Sequence, residues 1–138
     1  MDFIYTIIAS LISGGLGAWL TYYFGIKSKK TEAMLKFKEE KYANLLIYLQ
    51  GFIGNTNSVD LKKKFFEESY RSWLYCSDDV VKSINGFVNL LKDLKGQVPN
   101  PQKGHKIVGD IVLNMRKDLI GKTKLQSEDF RYITLIKN

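Results

Sequence analysis

The sequence predicts an all-α protein, in which a single N-terminal transmembrane helix continues into a cytoplasmic antiparallel bundle of about four helices. Three observations support this fold class. Residues 3–26 contain no charged side chain. Beyond them, apolar residues recur every three or four positions, which is the period of an amphipathic helix. The only prolines are Pro99 and Pro101, and no hairpin signal or pair of alternating strands is present.

The apolar run at residues 3–26 predicts a membrane anchor over 1–26. A hydrocarbon core about 30 Å thick is spanned by roughly 20 residues at ~1.5 Å each. A cleavable signal peptide is the competing interpretation, but it would carry basic residues before a shorter run. Here Asp2 precedes the run and lysines follow it. The positive-inside rule therefore predicts a single-pass protein of the cell membrane with its C-terminal domain in the cytoplasm.

Small residues repeat every four positions within the anchor and form a stripe along one side of the helix. Such stripes allow two membrane helices to approach closely, so the anchor is predicted to self-associate and the protein to be a homo-oligomer. The alternative is that glycine and serine are simply common in membrane helices. The residues predicted to pack in the span are Ser10, Gly14, Gly17 and Ala18.

A basic juxtamembrane stalk helix is predicted at residues 27–57. Lys27, Lys29 and Lys30 follow the anchor directly and are expected to contact anionic lipid headgroups. Contact with membrane lipids would therefore explain much of the positive net charge of +7. Nucleic acid is an unlikely partner, because no basic patch interleaved with aromatic residues is evident. Heptad-like apolar spacing through the stalk suggests a coiled coil. These positions are Leu35, Tyr42, Leu45 or Leu46, Leu49, and Phe52 or Ile53.

Residues 58–138 are predicted to form the cytoplasmic helical bundle. Ser58 is expected to cap the next helix, and the Ser77 hydroxyl is expected to cap a helix over 78–95 that stops at Gly96. A loop at 97–102 precedes a last helix ending near Gly121, and 127–130 could form one further turn. Residues 132–136 are apolar enough for a docked tail or a weak strand.

Few residues carry the chemistry of a catalytic or metal site. His105 and Cys76 are the only histidine and cysteine, so a zinc site is not predicted, and Cys76 among aromatic residues suggests an inert buried thiol. The neighbouring carboxylates at 39–40, 67–68 and 78–79 point about 100° apart on helices, and they are interpreted as solvated faces and a cap. No cofactor and no catalytic residue is predicted.

Two denser patches remain. Residues 70–75 concentrate aromatic side chains with Arg71 and Trp73, which is typical of interface hot spots, although a helical core is the favoured interpretation. Residues 115–125 are basic and include Gly121-Lys122-Thr123. This triplet resembles the end of a phosphate-binding loop but lacks the preceding glycine and strand.

The same two regions, Trp73 to Phe87 and Met115 to Arg131, resemble small uncharacterised bacterial membrane-anchored helical proteins. The shared segments have the form WLYxSDxVxKxxNxF and MRKDLxGKTKLxxxDFR. The resemblance covers the C-terminal half and implies no catalytic residue, because that family has no assigned activity. It implies a shared polar network or binding surface, with these candidates: Asp78, Asn85, Arg116, Lys117, Asp118, Lys122, Thr123 and Asp129.

Together these features predict a membrane-anchored helical interaction or scaffold module that self-associates, binds an unknown protein partner and has no catalytic activity. One alternative is a membrane-perturbing effector or phage-defence component, for which the glycine-bearing span would be the relevant feature. A second alternative is a phosphate-binding or nucleotide-binding sensor acting through residues Arg116 to Lys124.

Overall fold

The computed structural model of the protein describes residues 2–52, 57–95, 97 and 100–131. The described residues are helical and contain no strand, as the sequence predicts. Helix α1 spans Asp2–Leu49 and is followed by a 3-10 turn at Gln50–Phe52. Three further helices and a second 3-10 turn complete the described structure: α2 at Val59–Ser72, α3 at Asp78–Asp93, α4 at Pro101–Ile120, and the turn at Ser127–Asp129.

The chain divides into two compact units between Phe37 and Lys38. The first unit is the N-terminal part of α1, and every side chain described in it is exposed. An 18-residue window of this helix has a mean hydropathy of 1.7 with none of it buried. One helix is therefore long and apolar enough to cross a membrane.

The second unit holds the hydrophobic core, to which all four helices contribute. Phe52, Phe65 and Phe87 pack edge to face, with ring centroids 5.2–5.5 Å apart. Helix α3 packs against α4. The predicted heptad positions Tyr42, Leu45 and Leu49 are 0–2 % exposed. These side chains of α1 therefore pack in the hydrophobic core of the second unit. The remaining core residues are Val80, Ile84, Val108, Ile111 and Met115.

The helix ends agree with the sequence in part. The Ser58 hydroxyl accepts a hydrogen bond from the Leu61 N–H at 3.4 Å and caps α2 as predicted. Ser77 is the residue before α3, but its side chain makes no capping bond, so the predicted hydroxyl cap is wrong. Helix α3 is instead favoured by the acidic side chains in its first turn. It ends at Asp93, two residues earlier than predicted, and Gly96 lies outside the described residues.

Helix α4 begins inside the segment predicted as a loop at 97–102. Pro101 is the first helical residue, where its missing N–H costs nothing, and Asn100 Oδ1 accepts a hydrogen bond from the Gln102 N–H at 3.0 Å. The helix ends at Ile120 as expected. Gly121 follows with φ = 82°, a left-handed conformation that favours glycine, and its N–H bonds to the Lys117 carbonyl at 2.8 Å.

The segment after α4 returns to pack on that helix. A Cβ atom on Gly109 would lie 2.3 Å from the Ser127 carbonyl oxygen, so only glycine allows this approach. The Ser127 hydroxyl also donates to Asp110, and Asp129 accepts the Gln126 N–H at 2.8 Å. These bonds form the further turn expected at 127–130. The predicted tail or strand at 132–136 lies outside the described residues.

Candidate functional site

The second unit contains a cluster of polar side chains centred on Asp118. The Asp118 carboxylate lies 2.9 Å from Lys38 Nζ and also accepts hydrogen bonds from the Tyr42 hydroxyl and the Ser77 N–H. The Lys38 and Asp118 side chains are only 17 % and 12 % exposed. These bonds fasten α1 to the C-terminal turn of α4. We call the following set the polar cluster: Lys38, Tyr42, Glu68, Ser72, Tyr75, Cys76 and Asp118.

A second carboxylate of the cluster is Glu68. The Tyr75 hydroxyl donates to Glu68 Oε1 at 2.8 Å, and Lys41 and Arg71 lie 3.9 and 3.8 Å from the carboxylate. The Glu68 side chain is only 6 % exposed, so the prediction that residues 67–68 form a solvated face is wrong for Glu68. Its burial is tolerable because a hydroxyl donor and nearby cations offset the lost hydration.

Cys76 is a further member of the cluster and lies beside Tyr42 and Ser72. Its thiol is in hydrogen-bond contact with Tyr42 and Ser72, and the rings of Tyr42 and Tyr75 are 6.2 Å apart. Ser72 is fully buried and donates to the Ser69 carbonyl at 2.6 Å. The α2–α3 connection is thereby held against α1.

The surroundings shift the pKa values of four groups in the cluster. Burial raises the pKa of Asp118, but the hydrogen bonds from Tyr42, Lys38 and the Ser77 N–H outweigh it and hold that pKa below its ordinary value. Burial, followed by the hydrogen bonds to Asp118 and Glu68, raises the pKa values of Tyr42 and Tyr75. Burial is also the main cause that raises the pKa of the Cys76 thiol.

This arrangement joins α1 to α4 and to the turn after α2. The raised pKa keeps Cys76 a thiol at neutral pH, and the side chain is partly exposed, not fully buried as the sequence suggests. Both phenols keep the protons that they donate to carboxylates. Among the residues that the structure describes, no group of three His, Cys, Asp or Glu side chains could hold a metal ion.

The aromatic residues at the end of α2 lie at the surface. Tyr70, Trp73 and Leu74 are 78 %, 64 % and 88 % exposed, so the prediction that they belong to the core is wrong. The buried face of α2 is formed by Phe65, Glu68, Ser69 and Ser72 instead. We call residues Tyr70, Arg71, Trp73 and Leu74 the aromatic patch. Its composition is that of an interface hot spot, which was the alternative interpretation.

The predicted basic segment begins on the last turns of α4. Arg116 Nε donates to Thr123 Oγ1 at 3.3 Å, and the same oxygen accepts the Leu125 N–H at 3.2 Å. Lys117 and Lys122 are exposed. Arg116 and Asp118 are two residues apart on α4, so their side chains lie about 200° apart around the helix and Arg116 does not face the polar cluster. Binding of a phosphate there remains a prediction.

The other predicted site residues are spread over the described structure. Asp78 is exposed in the first turn of α3, Asn85 is partly exposed in the middle of that helix, and Asp129 belongs to the second 3-10 turn. Of the predicted polar network, Asp118 enters the polar cluster; Arg71, singled out with the aromatic segment, lies at the edge of the cluster beside Glu68. The lysines predicted to contact headgroups, 27, 29 and 30, are exposed on α1, as are Gly14, Gly17 and Ala18, and Ser10 is part of the same helix.

Sequence reasoning missed most of the polar cluster. From the sequence, Lys38 falls only within the basic stalk predicted at 27–57 and Tyr42 at a heptad position, although their i, i+4 spacing puts both on one face of α1. That spacing, together with a carboxylate near the end of the last helix, was the available signal. The partnership of Tyr75 with Glu68 had no comparable signal, because it depends on the turn that follows α2.

Comparison of the chain with protein-family models, with curated proteins and with solved structures finds no match. The resemblance of the C-terminal half to small bacterial proteins therefore stays a prediction. The function must be argued from the described residues alone.

Proposed function

We propose that this protein is a membrane-anchored, self-associating helical interaction module without catalytic activity. Residues 3–26 span the cell membrane once, and the unit that begins at Lys38 lies in the cytoplasm as an antiparallel bundle. The observation that carries the proposal is the contrast within α1. The described side chains of its N-terminal part, residues 3–7 and 12–37, are exposed, whereas Tyr42, Leu45 and Leu49 are buried in the core.

The exposed apolar part of α1 supports a membrane anchor. Trp19 is 61 % and Phe24 is 60 % exposed, and such side chains on a water-facing helix would aggregate. In a bilayer they face lipid, and aromatic rings near the end of a span suit the headgroup level. The lysines at 27, 29 and 30 then favour the cytoplasmic side.

The small-residue stripe supports self-association through the span. A Cβ atom built on Gly14 or Gly17 meets nothing within 4 Å, so no contact among the residues that the structure describes accounts for these glycines. Close packing of a second membrane helix does account for them, because small residues let two backbones approach.

The bundle topology and the polar cluster support an interaction role. Lys38, near the start of the second unit, meets Asp118 near the end of α4, as an antiparallel arrangement of these helices requires. The cluster keeps its charges paired and its thiol protonated, which suits a structural joint. The aromatic patch then presents Trp73, Leu74 and Arg71 from a fixed support, and these residue types are enriched in interface hot spots, leucine excepted.

The test is the mass of the full-length protein in detergent or nanodiscs. Wild type is compared with two variants that place the same leucine side chain on different faces of the membrane helix. Gly14→Leu places a bulky side chain on the stripe. Gly15→Leu, the matched control, places the same side chain about 100° around the helix. Within the described part of the chain, a Cβ atom at either position meets nothing within 4 Å, so both variants should fold.

We expect wild type and Gly15→Leu to be oligomers and Gly14→Leu to be a monomer. An oligomer that resists both substitutions would assign assembly to the second unit. A wild-type monomer at every concentration would refute self-association, and recovery of the chain in the soluble fraction of cells would refute the membrane anchor.

A further inference from the structure

We propose that the basic segment, residues 115–125 at the C-terminal end of α4, binds an acidic segment of a partner protein that also carries aliphatic side chains. This inference rests on the proposed interaction role, but not on self-association, and it adds the site and the chemistry of the partner. The basic segment combines exposed cations with exposed aliphatic side chains. They are Arg116, Lys117, Lys122 and Lys124, with Ile120 and Leu125.

The four cations of the basic segment form no ion pair with any residue that the structure describes. Arg116 donates to the Thr123 hydroxyl, which is a neutral group. The acids described in α4 and in the chain after it are engaged by other groups. Asp118 is held by Lys38 and Tyr42, Glu128 by Lys106, Asp129 by the Gln126 N–H, and Asp110 by Ser127. The positive charge of the basic segment is therefore not neutralised by the acids of its own helix or of the chain that follows.

Other charges near the basic segment offset only part of this excess. The Asn114 amide donates to the Asp79 carbonyl at 3.3 Å, so the first turn of α3, with the exposed Asp78 and Asp79, lies beside the last turns of α4. Lys82, one turn further along α3, is an exposed cation. The negative end of the α4 dipole contributes only about half an elementary charge. A net positive surface remains, which a negatively charged partner would neutralise.

Local hydrogen bonds order the backbone of the basic segment. The Gly121 N–H bonds to the Lys117 carbonyl at 2.8 Å, and the left-handed conformation of Gly121 turns the chain out of α4. The Thr123 hydroxyl then accepts from Arg116 Nε at 3.3 Å and from the Leu125 N–H at 3.2 Å. The cations are thus presented from an ordered turn, which lowers the entropy lost when a partner binds.

The apolar residues of the basic segment favour an acidic protein over a nucleic acid. Ile120 is 57 % and Leu125 is 47 % exposed. Aliphatic side chains gain free energy when they are buried against apolar side chains, which a protein segment supplies and a phosphate backbone does not. Surfaces that bind single-stranded nucleic acid combine cations with aromatic rings on which bases stack. Residues 115–125 contain no aromatic residue, so the partner is expected to place Asp or Glu beside Leu, Ile or Val.

The test is the selection of binding peptides by the full-length protein in nanodiscs of zwitterionic lipid, in which lipid charge does not compete. The probe is a random library of short peptides displayed on phage, and enriched peptides are then labelled for affinity measurement by fluorescence anisotropy. The test variant combines Lys122→Glu with Lys124→Glu. The matched control combines Lys63→Glu with Lys64→Glu on α2 and changes the net charge by the same amount. All four lysines are exposed, so both variants should fold.

We expect wild type to enrich peptides that combine acidic with aliphatic residues. The test variant should bind them more than about tenfold more weakly, because like charges placed across an interface repel each other. The control variant should change the affinity by less than about threefold, because salt screens charges outside the contact. For the same reason, added salt should weaken the binding of the enriched peptides to wild type.

The contrary outcomes separate this inference from the proposed function. Enriched peptides that are basic or uncharged, or that bind the test variant as tightly as wild type, would overturn the proposed site and leave the interaction role in place. Acidic peptides weakened equally by both variants would show attraction to the net charge alone and would also overturn it. Absence of any enriched peptide would overturn the interaction role as well. If labelled single-stranded DNA bound wild type but not the test variant, while no acidic peptide was enriched, the segment would be assigned to nucleic acid.

Discussion

Replacing Asp118 tests whether the polar cluster fastens α1 to α4. Asp118→Ala removes the acceptor of the Tyr42 hydroxyl, of Lys38 Nζ and of the Ser77 N–H. Tyr42 is 2 % exposed, so its hydroxyl cannot turn to water, and a buried donor left without a partner costs about 1–3 kcal/mol. Lys38, whose side chain is 17 % exposed, can partly regain hydration.

The expected loss for Asp118→Ala is therefore about 3 kcal/mol of unfolding free energy, within the range for breaking a mostly buried ion pair. Asp118→Asn keeps an oxygen that can accept from Tyr42 and should lose about half as much. Glu67→Ala, on the exposed face of α2, is the control and should change stability by less than about 0.5 kcal/mol. The assay is urea unfolding of the full-length protein in detergent, followed by circular dichroism.

The contribution of Asp118 to the free energy of unfolding should fall as the solution is acidified. The pKa of Asp118 is lowered in the folded protein, so its stabilising contribution is present above the unfolded value of about 3.9 and is lost as the pH falls through the folded value. Asparagine does not titrate. The stability gap between wild type and Asp118→Asn should therefore narrow as the solution is acidified below pH ~4.

Two results would refute this reasoning. If Asp118→Ala lowered the free energy of unfolding no more than Glu67→Ala does, the hydrogen bonds of Asp118 would make no net contribution to stability. A gap between wild type and Asp118→Asn that stays constant from neutral to strongly acidic pH would show that the charge of Asp118 is not what the surroundings stabilise.

Three further predictions concern other parts of the second unit, each measured by denaturant unfolding. Gly109→Ala should cost about 1–3 kcal/mol through steric overlap, whereas Gly86→Ala, with nothing within 4 Å, should be neutral or stabilising; equal effects would contradict the close approach. Burial raises the pKa of Tyr42, so wild type should lose stability as the pH rises above about 10, and Tyr42→Phe should lose less. Ser58→Ala should cost about 1 kcal/mol and Ser77→Ala less, because only Ser58 makes a capping bond.

The helices were largely predictable because their signals are local. The three-and-four spacing of Val81, Ile84, Val88 and Leu91 predicts α3, and Ser58 predicts the start of α2, since a cap needs only the residues that follow it. The start of α4 was placed too late because a proline was taken to exclude helix. Proline is well accommodated at the first helical position, and Pro101 occupies it.

The buried face of α2 was not predictable by the same means. Hydrophobicity would place Trp73 inside and Glu68 outside, yet the structure does the opposite. Glu68 can be buried only because Tyr75 donates to it and Lys41 lies near it, and Ser72 only because it bonds to the Ser69 carbonyl. These partners lie in the turn after α2 and on α1. The spacing of apolar residues within α2 carries no information about them.

The site could be predicted only at its C-terminal end. Asp118 was among the residues suggested by resemblance, but nothing in the local sequence shows that its partners are Lys38 and Tyr42. Lys38 and Tyr42 are 80 and 76 residues away from Asp118 in the sequence. Hydrogen bonds between such distant residues can be identified only when the packing of α1 against α4 is known.

The positions of the Asp118 partners in the sequence determine which hydrogen bonds can form first during synthesis of the chain. Lys38 and Tyr42 precede it by 80 and 76 residues, whereas Tyr75 follows Glu68 by only 7. During synthesis the bond between Glu68 and Tyr75 can form while α4 is still inside the ribosome, but the bonds to Asp118 cannot. The bonds between α1 and α4 can therefore form only after the last turn of α4 has been made, and a chain that stops short of residue 118 leaves Lys38 and the buried Tyr42 hydroxyl without this acceptor.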